Sequence, residues 1–469
     1  YGPLACHHVL PDHAAELQRN LIYHLASGVG QPLSVPQTRA VMASRASSLA
    51  RGFSGIGDAA FDLLLDCLNR DVVPVVPEMG TVGASGDLTP LAHIALVLIG
   101  EGEAVVGGTR LPGDAALAAV GLSPVSLEHK EGLALVNGTS AMTGISCLNG
   151  VGARSATNFA LRLALLYAEL VRAPAEAFDP RFGVARPHPG QRAVHRSLAS
   201  LAEGSRRLDA VVQPPPFLEL EREAQDGVLT NRELPQAPYT ARCLPQIFGA
   251  VLDLLDFHDR LIVTELRSAT DNPLVFADDD AVLHGGNFYG QHVAFAADTL
   301  QMAIIKLALH AERCLARICD PLMSNGLPAF LQAGPIGRNS GFMGAQVTAT
   351  ALVAELRLQA LPASIQSIPT NNNNQDVVTM GTIGARRTAR SLDLTWHILA
   401  IHAIALAQAF EIEGGFGGGG AGFGPASSRL CSWIRKNVGF LDRDRPLSGD
   451  VTKLAALLPR EDWAIQVIG

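Results

Sequence analysis

The sequence predicts a mainly α-helical protein in which a smaller N-terminal domain of mixed structure precedes a long central helical bundle. Beyond residue 137, long stretches rich in Ala and Leu place apolar residues at helical spacing on a wide face. Before that point, shorter helical patterns alternate with Gly and Pro. We therefore expect two domains, residues 1–137 and residues 138–469.

The N-terminal domain mixes short elements. Residues 59–69 carry a helical apolar period, and residues 71–77 form a short run rich in Val and Pro. The first five residues, Tyr1-Gly2-Pro3-Leu4-Ala5, lack an initiator Met and resemble the interior of a longer chain. We therefore expect this domain to be truncated at its start.

The second domain is dominated by long helical patterns. They cover residues 139–172, 241–268, 289–318, 341–361 and 376–413. Between the first two, the Pro-rich and charged stretch 174–240 predicts loops with short helices over the surface. We find no internal repeat, so the pattern favours one long bundle over a repeat array.

A glycine run follows the last of these helices. Residues 414–420 contain a formal GxGxxG, but no strand precedes it and no βαβ unit surrounds it. The run therefore predicts a flexible linker and not a nucleotide site.

Composition limits the possible partners. The 469 residues are 48% hydrophobic and 17% charged, with a net charge of −8 and a mean hydropathy of +0.21. So little charge is unusual for a soluble monomer, and we expect much of the surface to be buried against copies of the same chain. The negative charge gives no basic surface for nucleic acid.

The cysteines and the most apolar segment indicate a cytoplasmic protein. The seven cysteines are odd in number and form no CxxC pair, which suits buried thiols in a reducing compartment. Residues 394–411 are the nearest approach to a membrane span, but two His, a Gln and several small residues favour a buried bundle helix. No signal peptide is visible in the sequence.

The most informative segment covers residues 80–93, Gly-Thr-Val-Gly-Ala-Ser-Gly-Asp-Leu-Thr-Pro-Leu-Ala-His. Glycines at 83 and 86 permit positive φ and a close approach of the backbone, so the amide nitrogen of Gly86 could reach the carbonyl carbon of Ala84. Ring closure and loss of two waters, one from the Ser85 hydroxyl, would leave a methylidene conjugated to an imidazolone. Without supporting motifs, the same residues are a Gly-rich turn before a buried helix.

This segment resembles the prosthetic-group loop of the aromatic amino acid ammonia-lyases and 2,3-aminomutases. These enzymes carry 4-methylidene-imidazol-5-one (MIO), which the resemblance implies forms autocatalytically from Ala84, Ser85 and Gly86, with no metal or nucleotide. The β-hydrogen of an aromatic amino acid is weakly acidic and its ammonium leaves poorly. An electrophile that takes the amine covalently makes it a better leaving group, which a general base alone cannot do.

Further motifs match the family in order along nearly the whole chain. Asn137 corresponds to an asparagine beside the MIO and the amine, and Arg242 to the arginine that binds the carboxylate, for which its planar fork is suited. Tyr239, three residues before Arg242, is expected on the same helical side and matches a site tyrosine. The remaining matches, which the resemblance implies bind substrate, are Asn272, Phe288, Asn371, Asn374 and Gln375.

Two departures from the family pattern stand out. The family's catalytic base is a tyrosine in a loop upstream of the segment that resembles residues 1–5, and this sequence does not contain it. Tyr1 matches a nearby loop aromatic and is not assigned that role. In addition, Pro238 stiffens the approach to Tyr239, where relatives often carry Gln-Asp in this region.

Substrate choice is suggested by His24 and Leu25, which stand where the family contacts the aromatic ring. The His-Leu pair is similar to that of tyrosine-preferring members, whereas Phe would suggest phenylalanine. A neutral histidine can bond the phenol hydroxyl, and a substrate without that hydroxyl would leave it unpaired at about 1–3 kcal/mol. Taken without the family, His24 would be a helix-surface histidine.

The resemblance implies a fumarase/aspartase-like helical fold and a homotetramer whose active sites each take residues from three chains.

We expect a tyrosine ammonia-lyase that forms p-coumarate (4-hydroxycinnamate). The alternatives are a tyrosine 2,3-aminomutase giving β-tyrosine, or a phenylalanine or histidine lyase. A fumarase-type enzyme without MIO would carry a catalytic serine and a Lys/Asn-rich signature, which we do not see. A helical scaffold without catalysis would not be stabilised by tyrosine or cinnamate.

Overall fold

The computed structural model describes residues 7, 9–208, 236–335, 337–417 and 420–461. Its contacts divide the chain into two compact units, each made of three segments. The first unit contains residues 1–151, 256–301 and 361–390, and the second contains residues 152–255, 302–360 and 391–469. The chain passes back and forth between these units, so each unit contains segments that are distant in sequence. The two domains predicted from the sequence are instead separated by one boundary after residue 137, and that boundary stays a prediction.

Short helices and small sheets build the N-terminal part of the first unit. The helices are α1 (Ala14–Leu25), α2 (Val35–Leu49), α3 (Asp58–Asn69), α4 (Leu88–Leu98), α5 (Gly113–Ala119) and α6 (Glu131–Val136). Ser34 caps α2 in a capping box with Gln37, which satisfies amides at the start of the helix. The helix predicted at residues 59–69 is confirmed, because it corresponds to α3.

The strands are short and antiparallel. They are β1 (Val29–Pro32), β2 (Val73–Pro74), β3 (Pro77–Met79), β4 (Glu103–Val106), β5 (Thr109–Pro112), β6 (Leu274–Phe276) and β7 (Ala281–Leu283). β1 pairs with β3, β2 with β4, β4 with β5, and β6 with β7. The register opposes Val73 to Val105 and Val275 to Val282. The predicted mixed character of the region before residue 137 is confirmed.

Further helices follow, with lengths from four to 32 residues. They are α7 (Ser140–Leu170), α8 (Pro180–Ala185), α9 (Pro189–Leu201), α10 (Tyr239–Arg242), α11 (Leu244–Leu266), α12 (Gln291–Ile318), α13 (Met343–Leu358), α14 (Gly381–Ile412), α15 (Pro425–Asn437) and α16 (Ser448–Leu457). The five predicted long helices correspond to α7, α11, α12, α13 and α14, each within a few residues at both ends. Residues 175–201 carry the predicted short helices, while residues 209–235 lie outside the described part.

The core of the first unit is a continuous apolar cluster. Ile22 of α1, Met42 of α2, Leu64 of α3 and Leu98 of α4 are each inaccessible to solvent within it. Burying such a side chain stabilises the fold by about 1.5–3 kcal/mol. The loop between β3 and α4, which contains residues 80–87, therefore leads directly into a helix that packs on this core.

Among the residues that the structure describes, two helices, α12 and α14, are long and apolar enough to cross a membrane by length and composition. Their most apolar windows are 67% and 83% buried within the protein, as core helices are. α14 contains the predicted apolar segment 394–411. The glycine run at 414–420 follows this helix and not a strand, so the requirement for a dinucleotide fingerprint is not met.

Candidate active site

The loop of residues 80–87 contains positive φ angles, which glycine adopts readily. Gly83 and Gly86 have φ of 82° and 76°, and Ser85 between them has a φ of 51°. A Cβ at Gly86 would overlap the carbonyl of Gly138, and a Cβ at Gly83 would overlap the hydroxyl of Thr379. A positive φ is uncommon for serine, so the fold holds Ser85 in a turn that local preference does not favour.

Hydrogen bonds fix this loop on either side of Ser85. The Gly83 amide donates to Thr81 Oγ1 at 3.1 Å, and the Thr81 hydroxyl donates to the Gly86 carbonyl at 3.2 Å. The Asp87 amide donates to the Gly138 carbonyl at 2.7 Å. Ala84 packs against a small apolar cluster that includes Met380. The tripeptide from Ala84 to Gly86 is thus a pinned turn.

Asp87 closes the loop at the start of α4 and is completely buried. Its carboxylate accepts a hydrogen bond from the Met142 amide at 2.8 Å and another from the Thr382 hydroxyl. Desolvation raises the pKa of Asp87 to about 6, against the opposing effect of these donors. Asp87 belongs to the segment of residues 80–93, but no role was predicted for it.

Gln375 contacts the serine of the loop. Its Nε2 donates to Ser85 Oγ at 3.2 Å, while its Oε1 accepts from Thr370 Oγ1 and from Asn371 Nδ2, each at 2.8 Å. The Asn374 amide donates to the Asn371 carbonyl at 3.0 Å, and the Asn374 side chain is exposed. The structure therefore brings Gln375 to Ser85 directly and Asn371 through Gln375.

Hydrogen bonds determine the orientation of the side-chain amide of Asn137, which follows the last residue of α6. Its side-chain nitrogen donates to Asp271 Oδ1 at 2.8 Å and to the Asn272 carbonyl at 2.9 Å. Both partners are acceptors, so the amide nitrogen must face them. The Asn137 side chain, 3% exposed, therefore has Oδ1 as the atom that can accept a hydrogen bond from a ligand.

Asp271 is the centre of a buried charged group. Lys130 Nζ lies 2.6 Å from its Oδ2, and the Asn272 amide donates to its Oδ1 at 2.6 Å. Arg45 is 1% exposed and donates through Nη2 to the Ala134 carbonyl at 2.6 Å. Burial lowers the pKa of Arg45 to about 10, opposed by the Asp271 charge. This group holds the Asp271 carboxylate that orients Asn137.

The other predicted substrate contacts of the first unit lie in its loops and on α1. Asn272 Oδ1 accepts from the Gly285 amide at 2.6 Å, and Phe288 is half-buried in a turn before α12. Leu25 packs against the core of the first unit. Gly28, three residues further on, donates through its amide to His93 Nε2 at 3.2 Å.

His24 lies on the exposed side of α1. In the single chain its ring is exposed, with Nδ1 3.2 Å from the Asn20 carbonyl one turn earlier on α1. The cause is its position on α1, whose buried residues include Gln18, Leu21 and Ile22. The role of His24 at the substrate ring stays a prediction.

Tyr239 and Arg242 lie in the second unit, in the four-residue helix α10. The guanidinium carbon of Arg242 is 4.7 Å from the centre of the Tyr239 ring, which confirms that the two side chains share a helical side. Arg242 also donates to the Gln236 side chain, while its buried Nε has no hydrogen-bond partner within the part of the chain that the structure describes. Tyr239 is 68% exposed. Tyr1 lies outside the described residues.

Sequence reasoning missed the residues that support the site. No role was predicted for Asp271, Lys130 or Arg45, although Asp271 directly precedes the predicted site residue Asn272 in the sequence. A buried acid next to a site asparagine is the available signal. Among the residues that the structure describes, no three His, Cys, Asp or Glu side chains gather as a metal ion would require.

Comparison with known proteins identifies the family. The family model described as aromatic amino acid lyase matches residues 1–435. A tyrosine ammonia-lyase of Cereibacter sphaeroides is 46% identical over 98% of this chain and 86% of its own length. A histidine ammonia-lyase of Myxococcus xanthus is 41% identical over 98% of this chain and 85% of its own length.

A solved structure agrees with this family. The tyrosine aminomutase from Streptomyces globisporus superposes with a TM-score of 0.93 at 38% identity, over 99% of this chain and 87% of that one. The match confirms the expected helical fold of the fumarase/aspartase type. Relatives of this kind are carbon–nitrogen lyases, with aminomutases as structural neighbours. Family model, relatives and fold agree, and the chain belongs to the aromatic amino acid lyase family.

Proposed function

We propose that this protein removes ammonia from L-tyrosine to give p-coumarate. The observation that carries the proposal is the pinned left-handed turn at Ser85, with Gln375 bonded to the serine hydroxyl. Similarity to a tyrosine ammonia-lyase at 46% identity supports tyrosine as the substrate. The pair His24-Leu25 supports the same choice from the sequence.

The residues of the turn fit the MIO group that the family implies. Positive φ at Ser85 and Gly86 gives the reversal that a ring formed between residues 84 and 86 requires, and Gly138 leaves no room for a side chain at Gly86. We propose that Ala84, Ser85 and Gly86 supply its atoms, with no metal or nucleotide. The group would supply an electrophile for the substrate amine.

The side chains around the turn would then bind and orient the substrate. Asn137 Oδ1 is available to accept a hydrogen bond from the substrate amine, because both amide hydrogens are used by Asp271 and Asn272. Gln375, Asn371 and Asn374 would orient polar groups of the amino acid without adding charge. We assign Asn137 to the catalytic residues, and the other three to substrate binding.

In the second unit, Arg242 would bind the substrate carboxylate. Its planar guanidinium can make two parallel hydrogen bonds to a carboxylate, and it lies against the ring of Tyr239. We assign Tyr239 to the catalytic residues. His24, Leu25, Asn272 and Phe288 complete the proposed substrate contacts, with His24 bonding the phenol hydroxyl.

We also propose that the protein acts as a cytoplasmic homotetramer with active sites shared between chains. Cytoplasmic location is supported by the six described cysteines, which are all free thiols. Sharing of sites is supported by the low charge content of the sequence. It would also account for the exposure of His24 and Tyr239 in a single chain, because a neighbouring chain would cover them.

One other function has specific support. A tyrosine 2,3-aminomutase, which would return the amine at the β carbon to give β-tyrosine, is supported by the structural similarity to the aminomutase of Streptomyces globisporus. Histidine must be tested as a substrate because a histidine ammonia-lyase is 41% identical, and phenylalanine because it lacks only the hydroxyl of tyrosine.

The experiment is a product assay. The protein is incubated separately with L-tyrosine, L-phenylalanine and L-histidine, and the products are separated by chromatography. We expect p-coumarate from tyrosine at the highest kcat/KM. Accumulation of β-tyrosine would establish the aminomutase, and a higher kcat/KM for either of the other amino acids would overturn tyrosine as the substrate.

A further inference from the structure

The helix that carries Tyr239 and Arg242 is too short to be stable alone. α10 spans four residues, whereas isolated helices shorter than about 12–15 residues are marginal in water. Its position must therefore come from contacts with the rest of the second unit. These contacts converge on Thr240, which is bonded through both its backbone carbonyl and its side chain.

The backbone carbonyl of Thr240 is bonded to α12. His310 Nε2 lies 2.9 Å from this oxygen, and a carbonyl can only accept, so His310 must carry its proton on Nε2. The imidazole is 6% exposed, and burial lowers the pKa of His310 to about 4. The ring is therefore neutral at pH 7 and keeps this donor. The edge-on ring of Phe248, at 5.4 Å, further restricts its orientation.

The side chain of Thr240 is bonded to α7. Tyr167 Oη lies 3.1 Å from Thr240 Oγ1, and Arg317 Nε donates to the same phenol oxygen at 3.2 Å. A guanidinium can only donate, so the phenol oxygen accepts from Arg317 and its proton can be donated to Thr240. Tyr167 is 0% exposed, which makes this a buried chain of polar groups.

Tyr167, His310, Arg317 and Thr240 are not among the residues assigned to catalysis or to substrate binding. Together they hold α10 between two long helices. α7 contacts the side chain of Thr240, and α12 contacts its backbone carbonyl. Arg242 follows two residues later, and its guanidinium lies against the Tyr239 ring of the same helix. Among the described residues its buried Nε has no hydrogen-bond partner. The direction of its guanidinium therefore depends on the position of α10.

We propose that Tyr167 and His310 are positioning residues that hold α10 through Thr240 and so direct the Arg242 guanidinium toward the substrate carboxylate. The inference rests on the proposed function, because it takes Arg242 as the carboxylate-binding residue. It adds a specific cause for carboxylate affinity, namely two polar contacts on Thr240, a residue that is not assigned to substrate binding.

The test compares Thr240→Val and Tyr167→Phe with the wild-type full-length protein. Each substitution keeps most of the side-chain volume and removes one hydroxyl of the chain. The conservative variant Thr240→Ser keeps the hydroxyl. The matched control is Thr395→Val, which removes a buried hydroxyl in the same unit that donates to the Ser391 carbonyl at 2.8 Å.

Two ligands separate positioning from general damage. p-Coumarate carries the carboxylate, and 4-vinylphenol is the same molecule without it. We expect Thr240→Val and Tyr167→Phe to weaken p-coumarate binding roughly tenfold. This change in Kd equals about 1.4 kcal/mol of binding free energy, similar to the contribution of one hydrogen bond. The 4-vinylphenol affinity should stay within about twofold, a difference below 0.5 kcal/mol. KM for tyrosine should rise with p-coumarate Kd while kcat changes less, and Thr240→Ser should bind like wild type.

Other results would overturn the proposal. Unchanged p-coumarate affinity in Thr240→Val would do so, and so would an equal loss in Thr395→Val, since that would reflect structural damage. If the wild type binds cinnamate or the histidine-derived acrylate instead, the proposed substrate is wrong, and the same variants are tested with that acid. If Thr240→Val fails to fold, Tyr167→Phe decides, because it removes the other partner of the same hydrogen bond, and unchanged p-coumarate affinity in that variant would overturn the proposal.

Discussion

Replacing Asp87 by asparagine should make the protein more stable above pH 6 and remove part of its pH dependence. The carboxylate of Asp87 is fully buried at the start of α4, and desolvation raises its pKa from 3.8 to about 6. A raised carboxyl pKa means that the folded state binds the proton more tightly than the unfolded state. Between about pH 4 and pH 6 the unfolded state loses this proton first, so stability falls as pH rises.

The size of the effect follows from the pKa. Each unit is worth 1.36 kcal/mol, so a rise from 3.8 to about 6 corresponds to about 3 kcal/mol of lost stability at pH 7. Asparagine has nearly the same shape and no charge. Its oxygen can accept from the Met142 amide, as Asp87 does at 2.8 Å, and its nitrogen can donate to the Thr382 hydroxyl. For a cooperative unit of 150–250 residues, about 3 kcal/mol corresponds to roughly 6–12 °C in Tm.

The assay is the Tm of wild type and Asp87→Asn measured from pH 4 to pH 8. The difference should be small near pH 4, grow up to about pH 6 and then stay constant. Asp179→Asn is the control of opposite sign, because Arg181 lowers the pKa of that exposed carboxyl to about 2. Its loss of stability should therefore stay constant over this pH range, because both titrations lie below pH 4. A wild type that stays more stable than Asp87→Asn at pH 8, with a pH-independent difference, would refute the reasoning.

Three further predictions concern the site. His24→Phe should shift relative kcat/KM from tyrosine toward phenylalanine by roughly 10- to 100-fold, because the phenol hydroxyl loses its partner; an unchanged ratio would contradict this. Gly86→Ala should leave residues 84–86 with the mass of the ordinary peptide, because a Cβ there overlaps the Gly138 carbonyl; loss of two waters in this variant would count against it. Lys130→Met should lower the free energy of unfolding by about 3 kcal/mol in urea titration, because the buried Asp271 loses the cation 2.6 Å away; a change below 1 kcal/mol would show that Arg45 suffices.

The long helices were predictable because their signal is local and repeated. The apolar period over residues 139–172 and 376–413 corresponds to α7 and α14 within five residues at each end. The shared side of Tyr239 and Arg242 was equally predictable, since residues three apart on a helix are neighbours. Both cases need only the geometry of one helix.

The supporting contacts of the site were not predictable because their partners are remote in sequence. Asn137 and Asp271 are separated by 134 residues, and Asp87 and Thr382 by 295. Nothing in the neighbourhood of Asn137 indicates which way its amide faces. The Thr240 contacts likewise join α7, α10 and α12, so the anchor of Arg242 becomes visible only when these helices are packed.

The exposure of His24 has a different origin. A motif shared by a family reflects the contacts that a residue makes in the functional oligomer, whereas the structure of one chain shows only the contacts within that chain. His24 and Tyr239 are both exposed here, and the proposed tetramer would bring other chains to them. The tetramer and the shared sites stay proposals until the assembly is measured.

The most direct test of the account is the mass of the proteolytic fragment that contains Ala84, Ser85 and Gly86, taken from a preparation that is active on tyrosine. Cyclisation of the main chain at the pinned turn predicts a fragment lighter by two waters than its sequence. A fragment of full mass in an equally active preparation would show that the electrophile lies elsewhere and would contradict the account.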